Sequence, residues 1–483
     1  MTDSPRFEYP EPSGDLSGPT RAGTLWRRLK SFGPAAIVAS ASIGAGETVI
    51  ATRAGAWAEY GLLWVIVLAV LAKGVFVVYL LGRYTAVSGE HLGSRLARLP
   101  GPRGWLLVLI LGVELAAAPF IYATIGQAAG NLLAHAVGFG DQRVWAIGFI
   151  TLALALGAGV SYASLERQQI AICAVLVLGT LIGVALVRPD VAAIVKGSLS
   201  FGRVPPFPDW VRALPEFAGR PVWLEIATTF GFAGNIVVGY VVYAHWVALH
   251  GWGINGSKEI EGLRRDAADR PGVDFLRDDP AQAARMRRLI APLRWDVALG
   301  AGVVFVVTAA FLISGAAVLY PEKRLPAGFA LLTEQRSIWA AIHPALIPVY
   351  YTTVLLALWG TLNALPECYA RVSHEFLGVL RPRVARVPYR RVLRAVGTVI
   401  LFLTVPLVVL NVRPVAMMDV VALLSTNLGV AAVATGALWL NRQLPRPLRT
   451  AWWVEAGALA STALLWVVSG ISAYQMWGKY APG

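Results

Sequence analysis

The sequence predicts an all-α integral membrane protein of about 11 spanning helices, two five-helix halves plus one added helix, with the first helix of each half broken. Three observations predict it. The 483 residues are 57% hydrophobic and only 14% charged, with a mean hydropathy of +0.61, too apolar for a soluble globular chain. Apolar stretches of about 20 residues, the length that crosses a bilayer, follow one another along the chain. Two of them are interrupted by glycines at corresponding places.

The spans are expected at 32–57, 61–87, 104–134, 144–160, 168–188, 222–250, 295–320, 343–376, 391–411, 415–440 and 450–476. They divide the chain into a tail (1–31), a first repeat (32–188), a connection (189–221), a second repeat (222–440, with an insertion at 253–294) and a final helix (450–476). The net charge of +14 would suit nucleic acid in a soluble protein, but here the arginines cluster between spans. With 11 spans, the groups around Arg27, Arg98, Arg288, Arg390 and Arg446 all fall on one side. The positive-inside rule makes that side, and the N-terminus, cytoplasmic, in a cell membrane. The bilayer is then the partner, and nucleic acid is not. Cys173 and Cys368 lie in apolar runs, so no disulfide framework is expected. No apolar core precedes Ser31, so no cleavable signal peptide is expected.

Both long connections read first as solvated linkers. In the insertion, Asp279-Pro280-Ala281-Gln282 reads as an N-cap, a proline at the first helical position and a capping-box Gln, opening a short basic helix that feeds span seven. The proline-rich 201–221 stretch reads as an extracellular cover.

Span one carries Gly44-Ala45-Gly46-Glu47 at mid-membrane depth. Each glycine weakens a helix by up to about 1 kcal/mol relative to alanine, and a charge near the midplane costs roughly 3 kcal/mol or more. Accepting both in one turn points to an opened helix that binds something. Span six repeats the pattern with Gly231, Gly234 and Gly239. Taken singly, such glycines serve close packing. Taken together at matching positions, they point to an inverted-repeat transporter with its site at the midplane.

Gly33-Pro34-Ala35, Ile43 and Thr48, Ala54-Gly55-Ala56, Leu62-Leu63-Trp64-Val65, Ser88-Gly89, Tyr243-Ala244-His245 and Trp359-Gly360-Thr361 resemble the Nramp family of divalent-metal transporters. The resemblance covers most of the membrane part and implies the LeuT-type fold. The family's signature residues, however, are altered. Its metal-binding aspartate falls on Gly44 and its neighbouring asparagine on Glu47. Its Met-Pro-His falls on Val238-Gly239-Tyr240, and its span-three acids on Glu114 and Ala117. Its span-ten glutamine falls near Asp419.

The expected substrate site is therefore Gly44, Ala45, Gly46, Glu47, Asn235, Val238, Gly239, Tyr240 and Asp419, with Glu47, Asn235 and Asp419 as metal ligands. Oxygen donors without a thioether suit Mg²⁺ or Mn²⁺ rather than softer ions. The expectation is a secondary transporter of such a cation by alternating access, the ion being substrate and no cofactor being needed. The alternative is transport of a small organic solute such as an amino acid. A remnant proton path would use Glu114, His245, Arg391 and Arg394. Three lost relay positions against one retained predict weak or no proton coupling. Glu114 reads equally as half of a buried pair with Arg53 or Lys73, and His245 as a satisfied core histidine. Glu225 and Glu59 read as interfacial, Arg53 as the partner of an acid, and Glu367 as serving backbone opened by Pro366. No nucleotide-binding loop, nucleophile–base motif or Cys/His spacing argues for an enzyme.

Overall fold

The computed structural model describes residues 7–11, 22–44, 46–325 and 331–480; Ala45 lies outside them. Among the described residues nine helices are long and apolar enough to cross a bilayer, a bent pair makes a tenth, and Gln142–Gly157 is a shorter apolar helix. These coincide in order with the expected spans. Span one is the bent pair, Pro34–Ser42 and Gly46–Ala58, with a 49° turn between its halves. Spans two, three and five are Leu63–Ser88, Trp105–Val137 and Tyr162–Val187, with Gln142–Gly157 as span four. Span six divides into Val222–Phe232 and Val237–Leu249. Span seven is Ala291–Ser314, continued to Leu319, and span eight is Ile347–Leu380. Spans nine, ten and eleven are Tyr389–Val409, Pro414–Gln443 and Trp452–Lys479.

Span one starts with Pro34 at a first-turn position, where a missing N–H costs nothing. Its remaining orphan donors are capped from another helix. Asp296 of span seven accepts from the N–H of Gly33 (2.8 Å) and of Ala35 (3.0 Å), and the Tyr243 hydroxyl donates to the same carboxylate at 2.9 Å. Span seven grips the other half as well. A Cβ on Gly55 would overlap the Leu312 carbonyl, and one on Gly315 would overlap that of Thr52. The two helices meet there backbone to backbone, the contact small residues allow between membrane helices.

Both long connections are packed, not solvated. In the 201–221 stretch, Phe207, Val211 and Phe217 are buried, and Phe207 packs edge-on against Trp57 at 4.7 Å between ring centres. In the insertion, Asp279 caps as expected, accepting from the Gln282 N–H at 2.9 Å. Gln282 does not complete the box, because its side-chain oxygen accepts from the Tyr9 N–H at 2.8 Å. Phe7 forms a parallel bridge with Leu276, and the buried Tyr9 donates its hydroxyl to the Val87 carbonyl at 2.8 Å. Residues 7–11 are thus strapped across the basic end of the bundle.

Candidate functional site: the paired helix breaks

Each break exposes backbone groups that a continuous helix would satisfy, and in a membrane every such group needs a partner. In span one the chain leaves the helix after Ser42 and re-enters through a wide π-helical turn at Gly46–Ala51. In span six Gly234 adopts φ +138°, a conformation that favours glycine. Glu47 joins the two. Its carboxylate accepts from the Gly44 N–H at 3.2 Å and from the Gly234 N–H at 3.4 Å. Lys73 of span two, fully buried, serves the opposite polarity. Its ammonium donates to the carbonyls of Phe230 (2.7 Å) and Gly231 (2.6 Å), which end the first half of span six. It also lies within Coulombic reach of Glu47. Tyr240 accepts from the Asn235 N–H at 2.7 Å, and Asn235 donates to the Val38 carbonyl at 2.8 Å.

Between the breaks lies a cavity of about 40 Å³, room for about three waters at roughly 10–15 Å³ each. Ser42, Thr124, Asn235, Thr361 and Thr426 line it, among apolar walls that include Ile121, Leu365 and Val421. Gly44 and Gly46 line it, and neither has room for a side chain. A Cβ on Gly44 would sit 2.8 Å from the Thr361 hydroxyl, and one on Gly46 would overlap the Phe232 ring. Met418 of span ten also lines the cavity.

Residues 35–475 match the family model described as natural resistance-associated macrophage protein-like, Nramp. This chain belongs to the Nramp family. It is 26% identical over 322 residues to a divalent metal cation transporter MntH from Chromohalobacter salexigens. That match takes in 64% of this chain and 61% of the relative's length. The structure resembles the crystal structure of the Eremococcus coleocola manganese transporter with an aromatic bis-isothiourea compound. The TM-score is 0.61 at 15% identity, covering 97% of this chain and 92% of that one. It also resembles MHP1, a nucleobase-cation-symport-1 family transporter, with a TM-score of 0.53 at 14% identity and 93% coverage of each chain. These likenesses establish the LeuT-type fold.

Several positions in this Nramp chain stand elsewhere than the sequence suggested. Asp419 is not at the cavity. Arg220 grips it through two bonds of 2.7 Å, and Thr228 donates to it at 2.9 Å. Arg220 also pairs with Glu225 at 2.5 Å, and Glu225 with Arg53 at 2.7 Å. Glu225 is therefore a buried bolt between spans one, six and ten, not an interfacial acid. Val238, buried, faces away from the cavity and lines a crevice with Glu114 and Tyr369. Gly239 is required by close approach, since a Cβ there would sit 2.5 Å from the Asn235 amide.

The remnant proton path is only partly assembled. Glu114 accepts from the Ser425 hydroxyl and pairs with neither Arg53 nor Lys73. Arg391 lines the mouth of the same crevice, whereas Arg394 is exposed and donates to its own helix at Arg390. His245 lies elsewhere, stacked on His91 at 5.5 Å and 3.5 Å from Glu375. Ligand atoms of His91, His245 and Glu375 all fall within 4.8 Å of one another. Arg371 donates to His245 at 2.9 Å, which places a fixed cation where a metal would bring its charge. Burial pushes the His91 imidazole below its usual value. Glu367 does more than satisfy backbone, pairing with Arg371 and accepting from Tyr389.

Reading the sequence missed Asp296 and Met418, and it took Lys73 only as a candidate partner of Glu114. A lysine and an aspartate inside apolar spans were visible signals; Met418 gave none.

Proposed function

We propose that this Nramp protein is a secondary transporter, not an enzyme. On this reading it carries a hard divalent cation, Mg²⁺ or Mn²⁺, by alternating access through the cavity between the breaks. The observation that supports it is the lining of that cavity, where five residues bearing a hydroxyl or amide and one bearing a thioether surround the place at which two helices open. Such donors favour hard or borderline ions. Met418 restores a single soft donor, which tilts the pair toward Mn²⁺. Glu47 holds the breaks together and reaches a cation only when one of its backbone bonds opens. With Lys73 balancing it, the site has little net charge to offer a dication, so binding is weak and the ion keeps part of its water, as Mg²⁺ does. The protein sits in the cell membrane with its basic end and N-terminus cytoplasmic, and needs no cofactor. The Arg53–Glu225–Arg220–Asp419 bolt closes the opposite end and must open during transport.

Proton coupling is weak or absent on this reading. Gly44 and Ala117 carry no proton, and Tyr240 is committed to Asn235. A pH-sensitive dye inside proteoliposomes tests this: cation-dependent acidification abolished by Glu114→Gln overturns it.

A second reading, transport of a small organic solute, is favoured by Lys73 neutralising Glu47 and by the apolar walls. Uptake into proteoliposomes with Mg²⁺, Mn²⁺, Cd²⁺ and amino acids decides between them. Saturable uptake of a divalent ion, lost in Glu47→Ala with folding retained, is expected; uptake of amino acids alone replaces the first reading with the second.

A further inference from the structure

A cavity of about 900 Å³ opens where spans two, seven and eleven meet at the basic end of the bundle. It is independent of the helix breaks. Its walls are apolar, with Leu71 and Phe76 from span two, Ala301 and Phe305 from span seven, and Val454 from span eleven. Its polar end is formed by four arginines, Arg83, Arg287, Arg294 and Arg449, and among the described residues no acidic one lines it.

None of the four has an ion pair among the described residues. Arg83, buried, donates to the Asn441 side-chain oxygen at 3.2 Å and to the Leu448 carbonyl, both uncharged. Arg294 lies within Coulombic range of Arg83, so like charges face each other across the same space. Arg449 donates to the Leu444 carbonyl at 2.8 Å. A buried guanidinium with no described counter-charge is costly, and the like charge of Arg294 raises the cost.

Each arginine stands near the end of its span. Arg294 is in the first turn of Ala291–Ser314, Arg287 in the last turn of the preceding basic helix, and Arg449 just before Trp452. Trp453 lies exposed at the rim, at the level where interfacial tryptophans anchor. Charge at headgroup depth with apolar walls running into the membrane matches one kind of molecule end for end. We propose that this cavity is a binding site for an anionic phospholipid of the cytoplasmic leaflet. The phosphate and its acidic headgroup sit among the four arginines, and the acyl chains lie against Phe76, Ala301 and Phe305. Basic pockets between spans on that side are suited to such headgroups. The lipid would tie spans two and seven together, the helices that carry Lys73 and Asp296.

The test uses the full chain purified in neutral detergent. Thermal unfolding and native mass spectrometry are recorded with dioleoylphosphatidylglycerol, with dioleoylphosphatidylcholine, and with inorganic phosphate. Retention of phosphatidylglycerol with a raised Tm is expected, and neither phosphatidylcholine nor phosphate should reproduce it. Each exposed arginine contributes about fivefold in affinity near a membrane surface. The Arg287→Gln, Arg294→Gln, Arg449→Gln triple variant should therefore bind about a hundredfold more weakly. Should that variant fold poorly, Ala298, another residue of the span-seven wall, offers a second test: Ala298→Trp blocks the apolar wall while keeping every charge, and it too should lose the lipid. Equal stabilisation by phosphatidylcholine, the same shift from phosphate alone, or undiminished lipid retention in Ala298→Trp would each overturn the proposal.

Discussion

Two regions bury charge in this protein and use it differently. At the end away from the basic one, Arg220 and Asp419 meet directly through two bonds of 2.7 Å, and Glu225 is held between Arg220 and Arg53. At the breaks, Glu47 and Lys73 carry opposite charge within reach of each other, yet each spends its hydrogen bonds on backbone. The outer charges fasten side chain to side chain, so they join helices. The inner charges stand in for missing helical bonds, so they keep two interrupted helices ordered. An acid caps exposed N–H groups, an ammonium caps exposed carbonyls, and the polarity of the exposed backbone groups matches the residue that meets them.

The largest expected effect lies at the outer bolt. Asp419→Asn takes from the buried Arg220 guanidinium one of its two carboxylate partners, Glu225 remaining, which costs up to about 3–5 kcal/mol, read as loss of thermal stability in detergent. Replacing both partners, Arg220→Met with Asp419→Leu, should recover most of that loss. If the double variant is no better than the single one, the cluster does more than pair charge with charge.

Lys73→Met should come next. It strips two buried carbonyls of their donor, at about 1–3 kcal/mol each, and should lower stability and stop uptake. Because Lys73 and Glu47 share no hydrogen bond, adding Glu47→Gln should not rescue it. A double-mutant cycle should give a smaller coupling for this pair than for Arg220 and Asp419. A larger coupling at the breaks would erase the contrast.

How much of this was legible beforehand differs by scale. The order of the spans, the two breaks and the repeat were readable because glycines and apolar runs are local signals. Lys73 and Asp296 were visible as charges in apolar spans, but their tasks depend on which helix end lies opposite, and that is set by packing. Asp419 was placed by matching the family's span-ten glutamine, when the roughly 100° between successive helical residues decides between the cavity and Arg220. Met418, one residue earlier, is the neighbour that faces the cavity.

That one-residue difference yields the third prediction, of a few-fold size. Met418→Leu should reduce Cd²⁺ binding relative to Mg²⁺ in calorimetry, because it removes the thioether at the cavity. Val238→Met should leave that ratio unchanged, since Val238 faces the Glu114 crevice. A raised Cd²⁺ preference in Val238→Met would return the site to the family's pattern.

The smallest effect concerns His91. Its folded value is depressed by burial, so the folded state resists protonation that the unfolded chain accepts near pH 6.5. Stability attributable to this group is present above that pH and lost as pH falls through it. The Tm should drop between pH 7.5 and 5.5 by under about 2 °C more in the parent than in His91→Gln. Identical pH profiles would remove His91 from the account.

Span seven has a mechanical consequence. It holds the first half of span one through Asp296 and the second half through the Gly55–Leu312 and Gly315–Thr52 backbone contacts. A fracture splinted on both sides by one rod does not flex freely at the fracture. If span one is to tilt during a transport cycle, the splint must slip at one attachment. The hydrogen-bonded end is the one that can let go by exchanging donors, whereas the glycine end has no side chains to rearrange and travels with the rod. The pivot of the cycle then belongs at Gly33–Ala35, and span seven rides with the half-helix beyond the break.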